Sequence, residues 1–132
     1  MEKLKRILLI DDDVNTNFYN RILFEQAKVS DDILEFQNAE EGLDYLKNEN
    51  EVSLILLDIN MPIMNGWQFL EAYEQLNKKQ KEAIIVVMLT SSINMDDQEK
   101  AAKYDSVKKF IRKPISPELI NEIMELFHDY AI

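Results

Sequence analysis

Four sites in this 132-residue sequence can do chemistry together: the adjacent carboxylates Asp11, Asp12 and Asp13, the single carboxylate Asp58, the hydroxyl of Thr90 and the ammonium of Lys113. Each comes at the end of a short apolar run, Lys113 after one intervening arginine, in "ILLIDDD", "LILLDINMP", "VVMLTSS" and "FIRKP". Adjacent carboxylates repel, and burial raises the cost unless a cation or a donor compensates. Either the aspartates fan out into water or something positive is held among them. Clustered carboxylates can share Mg²⁺, a hard ion that takes oxygen ligands and keeps positions open for water and phosphate oxygens. With that ion and Lys113 neutralising charge, one carboxylate can attack a phosphorus centre and form an aspartyl phosphate. Thr90 can donate a hydrogen bond to a phosphoryl oxygen, and Lys113 can bind another as a point charge. Little else is needed, because phosphoryl transfer is mostly positioning and electrostatic stabilisation.

The elements that must position these groups are visible as five strand-length apolar runs: Ile7–Ile10, Ile33–Phe36, Leu54–Leu57, Ile84–Leu89 and the weaker Val107–Ile111. "LILL" and "IIVVML" do not alternate with polar residues, as suits strands covered on both faces in a parallel sheet. Between the runs the spacing is helical. Val14, Phe18 and Ile22 make one stripe, Trp67, Leu70, Tyr73 and Leu76 another, and Ile120, Ile123, Met124 and Phe127 the last. Asn38 before Glu40 and Glu41, and Ser116 before Pro117, supply helix-start chemistry. Five β-α repeats predict an α/β fold: a doubly wound parallel sheet with right-handed crossovers and helices on both faces. All strands of such a sheet end at one edge, where the crevice at the switch point holds ligands. Four of the five runs deliver polar side chains to that rim. The second ends in "QNAEEG", a helix cap, as expected of an edge strand away from the crevice.

Composition excludes several classes. No apolar run approaches the roughly 20 residues of a membrane span. The N-terminus lacks the apolar stretch of a secretory signal and the chain has no cysteine, so a cytoplasmic location is expected. A net charge of −10 argues against direct nucleic-acid or anionic-membrane binding, since both repel such a chain. The length suits one domain over residues 1–132, without a separate output domain.

Taken in order and at these separations, "LLIDDD", "LLDINMPIMNG", "MLTSS" and "FIRKP" resemble the response-regulator receiver domains of two-component signalling, often called CheY-like, over essentially the whole chain. The resemblance implies a flavodoxin-like fold with strand order 2-1-3-4-5. It implies that Asp58 accepts phosphate from a kinase phosphohistidine in the presence of Mg²⁺. Asp12, Asp58 and the backbone carbonyl of Asn60 would be direct metal ligands, with Asp11 acting mainly through water. Thr90 would be the switch hydroxyl, Phe110 the switch aromatic, and Lys113 the phosphate-binding lysine before a cis Pro114. Asn60 and Ser92 would frame the path of attacking water. The implied partners are a sensor histidine kinase or histidine phosphotransfer protein and a downstream protein target, the chain itself being a monomer or a phosphorylation-dependent dimer. It would be a switch that catalyses its own modification, not a metabolic enzyme. Two features depart from the commonest pattern: "KYDSVKKF" has no glycine before the fifth strand, and Phe110 stands where tyrosine is frequent.

Other readings stand beside these. Asp13 is an N-cap. Trp67, Tyr73 and the methionines are packing residues, and His128 is a solvated residue of the last helix. A haloacid-dehalogenase-like phosphatase would use Asp11 as its nucleophile, but would leave Asp58 idle and needs a later acidic pair that is absent. A pseudo-receiver would keep the fold without phosphorylation. On the fifth strand, simple alternation puts Lys108, Phe110 and Arg112 on one face, either as charges that guard an edge or as part of an output surface.

Overall fold

The computed structural model describes residues 3–48, 51–76 and 85–131. Among them, strands and helices alternate: β1 (Ile7–Ile10), α1 (Val14–Ala27), β2 (Ile33–Phe36), α2 (Ala39–Lys47), β3 (Leu54–Asp58), α3 (Gly66–Glu74), β4 (Ile85–Thr90), α4 (Met95–Ala102), β5 (Val107–Arg112) and α5 (Pro117–Ala131). The strands are all parallel, in the order β2-β1-β3-β4-β5. Ile84, expected at the start of the fourth strand, lies outside the described residues.

Successive strand side chains point to opposite faces, and this divides the core in two. Ile7, Leu9, Leu54, Leu56, Val87 and Leu89 pack with Phe24 of α1 and Leu119, Ile120 and Ile123 of α5. Leu8, Ile10, Ile55, Leu57, Val86 and Met88 pack with Leu43 and Leu46 of α2, Phe69, Leu70 and Tyr73 of α3, and Ala101 of α4. Every residue of β3 is buried, which is why "LILL" carries no polar alternation. Each such Leu or Ile contributes about 1.5–3 kcal/mol of transfer free energy.

The helix starts follow the sequence. The side chain of Asp13 accepts from the amide of Asn15 at 2.9 Å, and that of Asn38 from the amide of Glu41 at 2.8 Å. Ser116 Oγ accepts from the amide of Leu119 at 3.3 Å. Asn65 and Gln68 close a reciprocal capping box at α3, and Asn94 caps α4.

In two places the buried face differs from the expected one. In α1 the apolar stripe is turned outward: Val14 is 51% and Phe18 58% exposed, while Asn17, Asn20 and Phe24 are buried. Both sets have helical spacing, and the polar one is buried at the N-terminal end, where the Asn17 amide meets carbonyls at the ends of β1 and β2. Asn17 Nδ2 donates to the carbonyls of Asp11 and Phe36 at 3.0 and 3.1 Å. Its Oδ1 is left without a partner among the described residues, at a cost of about 1–3 kcal/mol. In β5 the simple alternation fails because Val86 pairs with Val107 but Val87 pairs with Lys109, so Lys108 is an extra residue in a bulge. Val107 and Phe110 therefore share the core of α2, α3 and α4, while Lys109 reaches Glu122 of α5 at 3.7 Å. His128 is half-buried rather than solvated, with its ring edge-on to Phe127.

Candidate functional site

The sheet order sets β1 beside β3, with Ile10 opposite Leu57, so the next residues along, Asp11 and Asp58, emerge side by side. One carboxylate oxygen from each of Asp11, Asp12 and Asp58 lies within 4.8 Å of the other two. Asp11 and Asp58 are buried, Asp12 exposed. Lys113 reaches back from the end of β5, its Nζ 2.6 Å from Asp11 Oδ2 and 3.0 Å from Asp58 Oδ1. The Lys113–Pro114 bond is cis, as expected. The amide of Lys113 donates to the carbonyl of Thr90 at 2.8 Å, joining the ends of β4 and β5.

Burial pushes the Asp58 carboxyl up to about 6, with the Asp11 charge adding to the rise and Lys113 opposing it. Asp11 is also raised by burial, against the hydrogen bonds from Lys113 and the amide of Asp13. For Lys113, burial pulls the ammonium down, but two carboxylate partners outweigh it and the group is held above its usual value. One ammonium thus faces three carboxylates, and the pocket has room for further positive charge. The donor set is all oxygen, which suits a hard divalent cation such as Mg²⁺. Asp11, Asp12 and Asp58 are the residues that can hold it.

Two more of the sequence-expected residues reach this rim in a different local state. Thr90 is 2% exposed, and its hydroxyl donates to the carbonyl of Ser92 at 2.8 Å while accepting from the Ser92 amide at 3.2 Å. No hydrogen bond joins Thr90 to Asp58 among the described residues. Asn60 is exposed two residues beyond Asp58. Phe110 is not at the rim: it is half-buried on the α2, α3 and α4 side, in register with Met88.

Gly66 fixes the loop after Asp58. A Cβ there would lie 2.7 Å from the carbonyl oxygen of Asp58 and 2.9 Å from Cα of Ile59, so only glycine lets α3 approach β3 so closely. Its amide donates to the Ile59 carbonyl at 2.8 Å. Between them, Ile63 is 87% exposed and takes a positive φ of 69°, a strained conformation for a β-branched residue. Asn17 was missed by the sequence reading. The available signal was its i, i+3, i+7 relation to Asn20 and Phe24.

With Asp11 committed to Lys113 and to the Asp13 amide, and Asp58 in the same pocket, the arrangement does not favour Asp11 as a phosphatase nucleophile. A family model for the response regulator receiver domain matches residues 7–125. A chemotaxis protein CheY homolog of Campylobacter jejuni is 30% identical over 95 residues, 72% of this chain and 71% of that protein. Among solved structures, a two component response regulator from Cytophaga hutchinsonii superposes with a TM-score of 0.90 at 29% identity, covering 97% of this chain and 99% of that one. The chain also matches much longer relatives and spans only 6% of a hybrid signal transduction histidine kinase B from Dictyostelium discoideum, at 27% identity over 86% of this chain. No described helix is long and apolar enough to cross a membrane. The matched family, the shared architecture and the acidic pocket at the strand ends lead to one conclusion: the chain belongs to the response regulator receiver domains, the phosphorylation-dependent signalling modules of two-component systems.

Proposed function

We propose that Asp58 is the phosphoacceptor and that the chain takes its phosphoryl group from a phosphohistidine of a sensor kinase or phosphotransfer protein. The observation that carries this reading is Lys113 Nζ lying within 3.0 Å of Asp58 while also holding Asp11. An Asp58 carboxylate oxygen attacks phosphorus, the new C(O)O–P bond forms as the P–N bond to imidazole breaks, and the imidazole leaves with the bonding pair. Lys113 stays charged and meets the incoming phosphoryl oxygens. Asp11, Asp12, Asp58 and the Asn60 carbonyl would hold Mg²⁺, which when bound neutralises charge on the transferring group.

The output follows from Thr90. To reach a phosphoryl oxygen its hydroxyl must leave the Ser92 carbonyl, which frees the β4–α4 turn and space toward Phe110. A partner would then read the face of α4, β5 and α5. This requires the inward Thr90 state to bind phosphate better than the outward one. The 132 residues act as one receiver unit in this reading, a switch that promotes its own modification.

The test is acetyl phosphate with Mg²⁺, followed by mapping of the alkali-labile phosphoryl group. One labelled site at Asp58, lost in Asp58→Asn, is expected; full labelling of that variant sinks the assignment. Phe110→Ala should leave labelling intact while removing beryllofluoride-induced shifts of amide signals in α4.

A further inference from the structure

We infer that Asn17 is a positioning residue for the acidic pair, an inference that rests on the phosphoacceptor reading above. Its side chain is 1% exposed, and the single nitrogen Nδ2 forks onto the carbonyls of Asp11 and Phe36. The Phe36 carbonyl also accepts from the Asp11 amide at 3.1 Å. One side chain thus ties the end of β1 to the end of β2 and grips Asp11 on its carbonyl. That carbonyl belongs to the rigid peptide plane that also carries the nitrogen of Asp12. Holding it fixes the rotation of the plane, and with it the direction in which Asp12 leaves the chain relative to Asp11.

The two carboxylates differ in what else holds them. Asp11 Oδ1 accepts from the Asp13 amide at 2.9 Å, and Oδ2 from Lys113. The Asp12 side chain is exposed and makes no hydrogen bond or ion pair among the described residues. Its aim is set by its backbone, and Asn17 is the side chain that holds that backbone. Burial alone does not explain an amide here. Val14 and Phe18 stay exposed on the same helix, and Asn17 Oδ1 has no partner among the described residues. The helix keeps an asparagine inside for its donor fork, although its acceptor goes unused.

The experiment compares Asn17→Leu and Asn17→Ala with Phe24→Leu, which opens a cavity at a fully buried position of the same helix. Four quantities are measured: Mg²⁺ affinity, by titrating the metal alone and following the amide signals of Asp12 and Asp13; KM and kcat for acetyl phosphate; and the urea midpoint. Both Asn17 variants should bind Mg²⁺ roughly tenfold more weakly, with kcat recovering toward wild type at saturating Mg²⁺. Phe24→Leu should lower the urea midpoint and leave Mg²⁺ affinity where it was. Asn17→Ser, which keeps a hydrogen-bond donor one bond closer to the backbone than Nδ2, should restore part of the lost affinity. A folded Asn17 variant with wild-type Mg²⁺ affinity overturns the inference, as does an equal loss in Phe24→Leu. Equal affinity in the Ser and Ala variants also overturns it. If the wild type takes no phosphoryl group at Asp58, the functional reading fails; if it does while the Asn17 variants bind Mg²⁺ normally, only this inference fails.

Discussion

Replacing Asp58 by Asn should stabilise the metal-free protein at neutral pH, although it removes one of the two partners of Lys113. The Asp58 carboxyl is raised from 3.8 to about 6, chiefly by burial, and the attraction of Lys113 is already counted in that rise. A shift of a little over two units corresponds to about 3 kcal/mol at about 1.36 kcal/mol per unit. Solvent at the rim screens part of this, leaving roughly 2 kcal/mol. The sign follows from linkage: a carboxyl raised in the folded state favours folding while protonated, and that contribution is lost as pH rises from the unfolded value of 3.8 through about 6. The two proteins should therefore be equally stable near pH 3.5, diverge across that window, and differ by a constant amount above pH 7. At roughly 4 °C per kcal/mol for a chain of this size, the midpoint difference at pH 7.5 should be about 8 °C. The assay is urea and thermal unfolding with chelator from pH 3.5 to 8, repeated with Mg²⁺, which should raise the wild type more than the variant by mass action. A variant no more stable than wild type at pH 7.5, or a difference that does not change with pH, would refute the argument.

Removing the cation should act in the opposite direction: Lys113→Met leaves Asp11 and Asp58 facing each other and should cost about 3 kcal/mol at pH 7. That loss should shrink toward pH 4 as the carboxyls protonate, as read by urea unfolding across pH. Gly66→Ala should cost about 1–3 kcal/mol by overpacking against the Asp58 carbonyl and Ile59. It should also slow acetyl phosphate labelling, whereas an unaffected rate would show that the loop adjusts without moving Asp58. Tyr73→Phe should stabilise by about 1 kcal/mol, because the buried Tyr73 hydroxyl has no partner among the described residues; a lower urea midpoint would mean that the hydroxyl is satisfied in solution.

The order of elements and the chemistry at their ends are legible along the chain. Short continuous apolar runs between helical segments suit strands covered on both faces, and an aspartate, hydroxyl or lysine just past such a run emerges at the sheet edge. That local logic placed Asp11, Asp12, Asp58, Thr90 and Lys113 at one rim, and it placed the caps at Asp13, Asn38 and Ser116, because a cap is a contact between near neighbours. It did not decide which face of α1 turns inward. Val14, Phe18 and Ile22 and the set Asn17, Asn20 and Phe24 both have helical spacing, and the choice depended on the carbonyls of Asp11 and Phe36 at the ends of two different strands. It did not reveal the bulge at Lys108, which exists only in the pairing of β5 with β4. Nor did it give the resting partner of Thr90, whose hydroxyl turns to Ser92 rather than to the pocket. Tertiary structure decided these points because each is a competition between distant groups for one hydrogen bond or one side of a sheet, and periodicity along the chain does not measure such a competition.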